Sequence, residues 1–368
     1  MLYQSPPSPP AAHILTFAET LDGGGVERAM LRMITGWIEA GRRVTLVAGD
    51  CSGPLSREVP PGVELVELGS RAYVALFALA GHIRRLAPDI VFCPGNYYSL
   101  IAAVARWRLG AACPPMIAKV SNALVRPEMN AVTAWGYRRW LRMHPGFVDM
   151  LVAMSPAMAE EAATTMRMPR ERICVIPNPP ARRIPGVAGV ALPQGKYLLG
   201  VGRLEPQKRW DRLIAALPRI ADRTIPLVIL GEGSARAALE AQVAALGLGG
   251  RVTMPGHAGD PIPVLAGAAA TVLTSDFEGV PGVLRESLSQ GTPVISTESS
   301  VAVREIIHAP ELGSIVPRDD GDALVAAIDH WLAPGQPRPA PVPDPARDSV
   351  ADYLALFDTI AAARQRSR

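Results

Sequence analysis

The sequence predicts an α/β protein made of two doubly wound halves, each built around a parallel sheet. At 368 residues the chain is longer than one hydrophobic core usually supports, which favours two domains. Short apolar runs alternate with longer segments of helical periodicity, the pattern of strand–helix–strand units. One Pro- and Gly-rich stretch, residues 179–196, interrupts this alternation and is typical of a linker.

In the first half, the strand pattern begins with "HILTFA" at residues 13–18 and the loop "ETLDGGG" follows it. A helix is predicted from Val26 to Gly41, where the glycine suits a helix end. Further strands are predicted at "RVTLVAG", "DIVFCPG", "PMIAKVS", "DMLVAMS" and "ICVIPNPP". Ser155 and Pro156 predict the start of a helix after the fifth of these six strands.

In the second half, the strand pattern restarts with "YLLGVG" and continues through "PLVILGEG", "RVTMPG", "ATVLTS" and "TPVIST". The last helix carries apolar residues at helical spacing, which predicts that one of its faces is buried. The predicted organisation is a disordered tail (1–12), a first doubly wound domain (13–178), a linker (179–196), a second doubly wound domain (197–333), a Pro-rich stretch (334–348) and the last helix (349–366).

Composition and charge exclude several classes of protein. A formal net charge of +3, without a clustered basic face, gives no indication of nucleic-acid binding. The four cysteines have neither zinc-ligand spacing nor the density of a disulfide framework. The N-terminal stretch lacks the pattern of a signal peptide, and the longest apolar run, "AYVALFALA", is too short to span a membrane. We therefore expect a cytoplasmic protein.

Ligands of open α/β sheets bind beyond the carboxyl ends of the strands, so the loops there are the candidate sites. Gly23, Gly24 and Gly25 follow the first strand and precede a helix. Consecutive glycines allow the backbone to approach a ligand, and a helix N-terminus favours an anion. A loop that approaches a phosphate or a substrate and a plain tight turn remain equally compatible with this stretch.

A second loop, "GRLEPQKRW", follows the first strand of the second half and carries Arg203 and Lys208. Arginine can bind two phosphate oxygens at once, and lysine offers a compact positive charge. Lys208 is one of only three lysines, since nearly all basic residues are arginine. These residues predict a diphosphate site, and a solvated basic turn is the alternative.

The third loop, "DFEGVPGVLRESLSQG", places Glu278 and Glu286 on either side of a Pro–Gly turn that starts a helix. The helix N-terminus near Gly282 suits a phosphate. Glu286 is better suited to accept hydrogen bonds from a ribose diol, and Glu278 from the hydroxyls of a second sugar. Together, the loops of the second half predict a sugar-nucleotide site.

These stretches resemble the GT-B, family 4 type of retaining glycosyltransferases. The resemblance rests on "GVGRLEPQKRWDRLIAAL", on "LVILGEGSARAALEAQVAALGLGGRVTMPGH" and on "SDFEGVPGVLRESLSQGTPVIST", whose two glutamates are separated by seven residues. "GGGVER" and "IPNPP" also fit, so that the resemblance covers nearly the whole chain. It implies two Rossmann-like domains facing a central cleft, the first for the acceptor and the second for the donor. It also implies that the Pro-rich stretch 334–348 is a crossover, after which the last helix (349–366) completes the first domain.

The resemblance also implies roles for individual residues and substrates. Arg203, Lys208 and Glu278 would be the catalytic residues, with the two cations on the donor diphosphate and Glu278 on the transferred sugar. The donor would be a UDP- or GDP-linked hexose, the acceptor a glycan or lipid-linked sugar, and no metal would be required, because protein cations neutralise the leaving group. The residues implied in donor binding are Gly24, Gly25, Arg203, Lys208, Gly282, Val283, Leu284 and Glu286, and those implied in sugar or acceptor contact are Asn122 and Glu27.

The chain departs from the family pattern at two places, and both the role of one segment and the class of activity have alternatives. Gly282 stands where relatives often have Asn, and Asn122 lies in the stretch where many have a histidine. The stretch 131–147 mixes tryptophans with arginines, which fits a helix at the inner face of an anionic membrane as well as an ordinary surface helix. A sugar-nucleotide epimerase and a catalytically silent nucleotide-binding subunit are the alternatives to a transferase.

Overall fold

The computed structural model describes residues 11–125, 129–179, 189–258, 260–345 and 348–366. The chain divides into two compact units, Met1–Pro179 with Ala346–Arg368, and Pro180–Pro345. Each unit contains one sheet in which all strand pairs are parallel. The predicted α/β fold with two parallel, doubly wound sheets is confirmed.

The sheet of the first unit has seven strands in the order β3-β2-β1-β4-β5-β6-β7. Strand order therefore reverses between β1 and β4, which is the topological switch point where ligands of such sheets bind. The strands are β1 (His13–Thr20), β2 (Arg43–Asp50), β3 (Glu64–Glu67), β4 (Ile90–Cys93), β5 (Met116–Lys119), β6 (Met150–Ala153) and β7 (Ile173–Val175).

The last helix of the chain packs into the core of this first unit. Trp37, on the first helix, makes edge-to-face contacts with Phe92 of β4 and with Tyr353 and Phe357 of the last helix, at ring-centroid distances of 5.4, 6.0 and 5.2 Å. All four rings are fully buried, and aromatic pairs of this geometry stabilise a core beyond their buried area. The helices of this unit are α1 (Gly25–Glu39), α2 (Leu79–Leu86), α3 (Ser99–Leu109), α4 (Ala131–Leu141), α5 (Pro156–Thr165) and, from the end of the chain, α12 (Ser349–Arg366).

The sheet of the second unit has six strands in the order β10-β9-β8-β11-β12-β13. Its switch point lies between β8 and β11, because the order reverses there. The strands are β8 (Leu198–Val201), β9 (Leu227–Leu230), β10 (Val252–Gly256), β11 (Ala270–Leu273), β12 (Val294–Thr297) and β13 (Gly313–Val316). The helices are α6 (Trp210–Ala216), α7 (Arg236–Ala245), α8 (Pro261–Gly267), α9 (Gly282–Ser289), α10 (Val303–Ile306) and α11 (Gly321–Leu332).

Two boundaries differ from the sequence prediction. Ala11, assigned to a disordered tail, is buried, and its amide donates to Asp358 of α12 at 3.1 Å. The tail therefore cannot extend to residue 12. Val190 and Leu192, assigned to the linker, pack against the core of the second unit, and residues 180–188 of the predicted linker lie outside the described residues. Ser155 caps α5 as predicted, with its hydroxyl accepting from the Met158 amide.

The contact of α1 with α12 yields a stability prediction. A Cβ on Gly36 would lie 2.6 Å from both methyl groups of Val350, so Gly36→Ala should destabilise the protein by about 1–3 kcal/mol in urea unfolding. The matched control is Gly136→Ala in α4, where no atom of the described residues lies within 4 Å of a new Cβ. There the higher helix propensity of alanine should raise the free energy of unfolding by up to about 1 kcal/mol. Val350→Ala should partly rescue Gly36→Ala, because it removes both methyl groups but leaves Val350 Cβ 3.1 Å from the new Cβ. Equal effects of the two glycine substitutions would contradict this packing.

Candidate functional site

The predicted catalytic residues of the second unit follow β8 and β11, the two strands of its switch point. Lys208 Nζ donates to Glu278 Oε1 at 2.5 Å, and the Ser275 hydroxyl donates to the same oxygen at 2.6 Å. The side chains of Lys208 and Glu278 retain only 16% and 11% of their accessible surface. The structure thus brings together two residues that lie 70 positions apart and forms a largely buried ion pair.

The loops that carry this pair are connected by hydrogen bonds to backbone carbonyls. The Asp276 amide donates to the Gln207 carbonyl, and the Thr274 hydroxyl donates to the carbonyls of Lys208 and Arg209. Asp276 also accepts from Arg209 and Arg212, which makes it a structural residue of this junction. Because the backbone is held on both sides, Lys208 and Glu278 have fixed positions.

Glycines allow Lys208 to lie against the end of β8. Gly202 has a φ of +157°, and a Cβ there would lie 3.1 Å from Lys208 Cε. A Cβ on Gly231, after β9, would lie 2.0 Å from the Gly202 carbonyl oxygen. Arg203 is exposed, and its carbonyl accepts from the Trp210 indole at 3.0 Å, so its backbone is held while its side chain reaches solvent.

The predicted phosphate-capping turn coincides with the start of α9 at Gly282. A Cβ on Gly282 would meet only Glu286 Oε1, at 3.9 Å, so the carboxylate of Glu286 lies close to this helix N-terminus. Leu284 is fully buried and its amide donates to the Pro281 carbonyl at 3.1 Å. The geometry therefore favours the amides of Gly282 and Val283 over that of Leu284 as anion donors.

In the first unit, the glycine loop lies at the other switch point, after β1. Gly23 and Gly24 have φ values of +135° and +152°, and α1 begins at Gly25. A Cβ on Gly24 would lie 2.3 Å from Glu27 Oε2, and the other carboxylate oxygen of Glu27 accepts from the Tyr98 hydroxyl at 2.7 Å. A carboxylate thus lies over this loop, which favours a hydroxyl-bearing ligand over a phosphate; the predicted donor contact of Gly24 and Gly25 stays a prediction.

Asn122 belongs to a network of polar groups after β4 and β5. Asn96 accepts from the Ser121 amide at 2.8 Å and donates its own side-chain amide to the Asn122 carbonyl at 3.1 Å. The side-chain oxygen of Asn122 accepts from the adjacent Ala123 amide at 2.9 Å. The Asn122 oxygen is therefore engaged locally, and its predicted sugar contact would have to use the side-chain NH₂ group.

Lys119 is a charged residue at this edge to which the sequence prediction gave no role. Its side chain is fully buried at the end of β5, and Nζ donates to Asn178 Oδ1 at 3.1 Å. Burial lowers the pKa of Lys119 from 10.5 to about 8, against the opposing influence of the Glu27 and Cys93 side chains. The sequence signal for Lys119 was that it is one of only three lysines in a chain whose other basic side chains are nearly all arginine. Its burial adds weight to this signal, because lysines are seldom buried without a reason.

Comparison with known proteins identifies the family. The model of glycosyltransferase family 4 matches residues 23–179, and the model of glycosyl transferases group 1 matches residues 190–340. Together they cover most of both units. The chain therefore belongs to the family 4 type of GT-B glycosyltransferases.

Relatives agree with this family but match only part of the sequence. The N-acetylgalactosamine-N,N'-diacetylbacillosaminyl-diphospho-undecaprenol 4-alpha-N-acetylgalactosaminyltransferase of Campylobacter jejuni is 32% identical over 46% of this chain and 45% of that protein. The lipopolysaccharide core biosynthesis glycosyltransferase LpsE of Rhizobium meliloti is 32% identical over 37% of this chain and 39% of that protein. The matches span less than half the length of these two relatives.

A solved structure shows that the fold extends over the whole chain. Anabaena HepE, in complex with UDP and glucose, has a TM-score of 0.69 and covers 97% of this chain and 100% of its own. Its sequence identity is 18%, so the likeness establishes the shared fold.

The buried Lys119 predicts a pH dependence of stability. Because its pKa is lower in the folded protein, the unfolded chain binds more protons between about pH 8 and 10.5, and this group's contribution to stability rises with pH across that window. Between pH 8 and pH 10, the free energy of unfolding in urea should rise by about 2 kcal/mol more for the wild type than for Lys119→Met. The exposed Lys196→Met is the control, and parallel pH profiles of wild type and Lys119→Met would contradict the assignment.

Proposed function

We propose that the protein is a retaining glycosyltransferase that moves a hexose from a UDP- or GDP-linked donor to a glycan or lipid-linked acceptor. The observation that carries this proposal is the Lys208–Glu278 pair at the switch point of the second unit. A cation paired there with a carboxylate, which also accepts from the Ser275 hydroxyl, is suited to a ligand with both phosphates and hydroxyls, as a sugar nucleotide has.

The chemistry follows from the charge that develops during transfer. When the bond between the sugar and the diphosphate breaks, negative charge accumulates on the leaving phosphate oxygens. The ammonium of Lys208 has three donors, of which one is engaged by Glu278, and the exposed guanidinium of Arg203 lies on the same loop. Fixed cations of this kind stabilise the transition state without reorganisation, so this proposal assigns the neutralising role to protein cations and needs no metal.

The carboxylates are assigned to hydroxyl groups. Glu278 is held by Lys208 and Ser275 through one oxygen, so that its other oxygen can accept from the transferred sugar. Glu286 lies one turn into α9, beside the helix N-terminus, where it can accept from the ribose diol. The amides of Gly282 and Val283 then face the diphosphate.

The relatives support the substrate classes. The C. jejuni relative is named for a diphospho-undecaprenol-linked acceptor, and that of R. meliloti for lipopolysaccharide core biosynthesis. HepE has been solved with UDP-glucose as well as with UDP and glucose. We therefore propose a role in the biosynthesis of a cell-surface polysaccharide or lipopolysaccharide. Membership of a glycosyltransferase family favours transfer over the epimerase alternative.

Nucleotide binding tests the donor site directly. UDP or GDP should raise the melting temperature, with a stabilisation of about 2.7 kcal/mol at a hundredfold excess over Kd. In calorimetric titration, Glu286→Ala and Lys208→Ala should each weaken binding about tenfold or more, because each removes a charged hydrogen-bonding partner.

The controls separate binding from folding. Lys208→Ala leaves the Glu278 carboxylate without its cation, so the double variant with Glu278→Gln shows whether the loss of affinity persists when that charge is removed. Lys196→Ala and Glu311→Ala change exposed residues of the same kinds. The donor assignment fails if neither nucleoside diphosphate binds, or if both site variants bind like the wild type.

We also propose that α4 attaches the protein to the surface of an anionic membrane. Seven of the eleven residues of this helix are exposed, with Val132 at 79% and Trp135 at 61% of their accessible surface. Arg138, Arg139 and Arg142 lie along the same segment and are exposed. Arginines with an exposed tryptophan are typical of helices that lie in a lipid interface. No helix in the described part of the chain has the length and hydropathy to cross a bilayer.

Vesicle sedimentation tests this attachment. The protein should sediment with phosphatidylglycerol-containing vesicles and not with vesicles of pure phosphatidylcholine. Trp135→Ser, and separately the double variant Arg138→Gln with Arg139→Gln, should each reduce the bound fraction several-fold. For the arginines the reason is that each Lys or Arg near such a surface contributes about 1 kcal/mol to binding. Trp107→Ser, at the similarly exposed Trp107 on α3, is the control. Equal sedimentation of all variants, or none with anionic vesicles, would leave α4 an ordinary surface helix.

A further inference from the structure

Three tyrosines form a cluster at the carboxyl edge of the first unit's sheet, next to the switch point between β1 and β4. The ring of Tyr97 makes edge-to-face contacts with Tyr73 and Tyr98, at centroid distances of 4.9 and 5.2 Å. Tyr98 is buried, whereas Tyr97 exposes 59% of its surface. We call Tyr73, Tyr97 and Tyr98 with Glu19 the tyrosine platform.

Hydrogen bonds hold the exposed ring in a fixed position. The Tyr97 hydroxyl donates to Glu19 Oε2 at 2.7 Å, and the Tyr73 hydroxyl donates to the Tyr97 carbonyl at 2.9 Å. Tyr98 accepts from the Glu19 amide at 3.2 Å and donates to Glu27. Burial and the hydrogen bond to Glu19 raise the pKa of Tyr97 to about 12, so its hydroxyl stays protonated at neutral pH. An aromatic ring tethered at both ends loses little conformational freedom when a ligand covers it.

The charges around the platform select the kind of ligand. Glu19 and Glu27 contribute carboxylates, which repel a phosphate and make the surface unfavourable for a lipid chain. Of the neighbouring cations, Arg71 pairs with Asp22 and Asp50, and the ammonium of Lys119 is buried and donates to Asn178. A carboxylate that accepts one tyrosine hydroxyl keeps lone pairs for further donors. The suitable ligand is neutral, carries several hydroxyls and has an apolar face.

We propose that the tyrosine platform binds a neutral pyranose, the sugar residue of the acceptor that receives the transferred hexose. The C–H face of the pyranose lies on the Tyr97 ring, whose π face is electron-rich, and ring hydroxyls donate to Glu19 and Glu27. This assignment rests on the proposed glycosyltransferase function and makes the reacting end of the acceptor a sugar, whatever that sugar is attached to. Tyr97 is then a specificity-determining residue.

Saturation-transfer NMR with the full chain tests the platform. The probes are methyl α-D-glucopyranoside, methyl α-D-galactopyranoside and methyl α-D-mannopyranoside, each with and without UDP. At least one glycoside should receive saturation from the wild type, with and without UDP, and Tyr97→Ala should reduce it about fivefold, the loss expected for one aromatic contact. Tyr97→Phe should retain most of the signal, because it keeps the ring, and Glu19→Gln should reduce it. Trp107→Ala is the control for an exposed aromatic residue outside the platform.

The outcomes distinguish this proposal from the donor assignment. Three results would contradict the platform. The saturation signal could survive both Tyr97→Ala and Glu19→Gln, it could be abolished by UDP, or the wild type could give no signal with any of the three glycosides. Melting temperatures with UDP and GDP, recorded on the same samples, test the donor site of the second unit independently. If neither UDP nor GDP raises the melting temperature but the glycoside signal depends on Tyr97, the donor assignment is overturned and the sugar site is retained.

Discussion

The ion pair between Lys208 and Glu278 depends on the parallel topology of the second sheet and determines what its switch point can bind. The two residues approach because β8 and β11 are adjacent, although many residues separate them along the chain. Removing one partner of such a largely buried pair costs about 3–5 kcal/mol, because the other charge is left without compensation. The glycines at the end of β8 and the hydrogen bonds between the two loops are therefore conditions for the site as well as for the fold.

The two switch points have opposite chemical character although their backbones are alike. The switch point of the second unit presents Arg203 and Lys208 with a helix N-terminus, a combination that suits phosphates. That of the first unit presents the carboxylates of Glu19 and Glu27 among tyrosines, which suits hydroxyls. The proposed transfer of a sugar from a diphosphate to a hydroxyl group needs both kinds of surface, and the described residues include one candidate on each unit.

The sequence predicted the features that short-range patterns encode. The alternation of strands and helices, the position of Ser155 as a cap and the turn between Glu278 and Glu286 are all visible within a few residues. The pairing of Lys208 with Glu278 could not be predicted, because it depends on which strands are neighbours. The same holds for Tyr97 and Glu19, which lie 78 positions apart and meet only at the edge of the sheet. For Lys119, the sequence signal was the rarity of lysine in this chain. The burial of Ala11 could not be predicted from nearby residues, because it depends on α12 at the other end of the chain.

Hydrogen–deuterium exchange with and without UDP or GDP tests most directly whether the loops after β8 and β11 form the donor site. We expect slower exchange in residues 202–209 and 275–286 when the nucleotide is bound, and unchanged exchange in α11. Protection confined to the first unit, or no protection with either nucleotide, would contradict it.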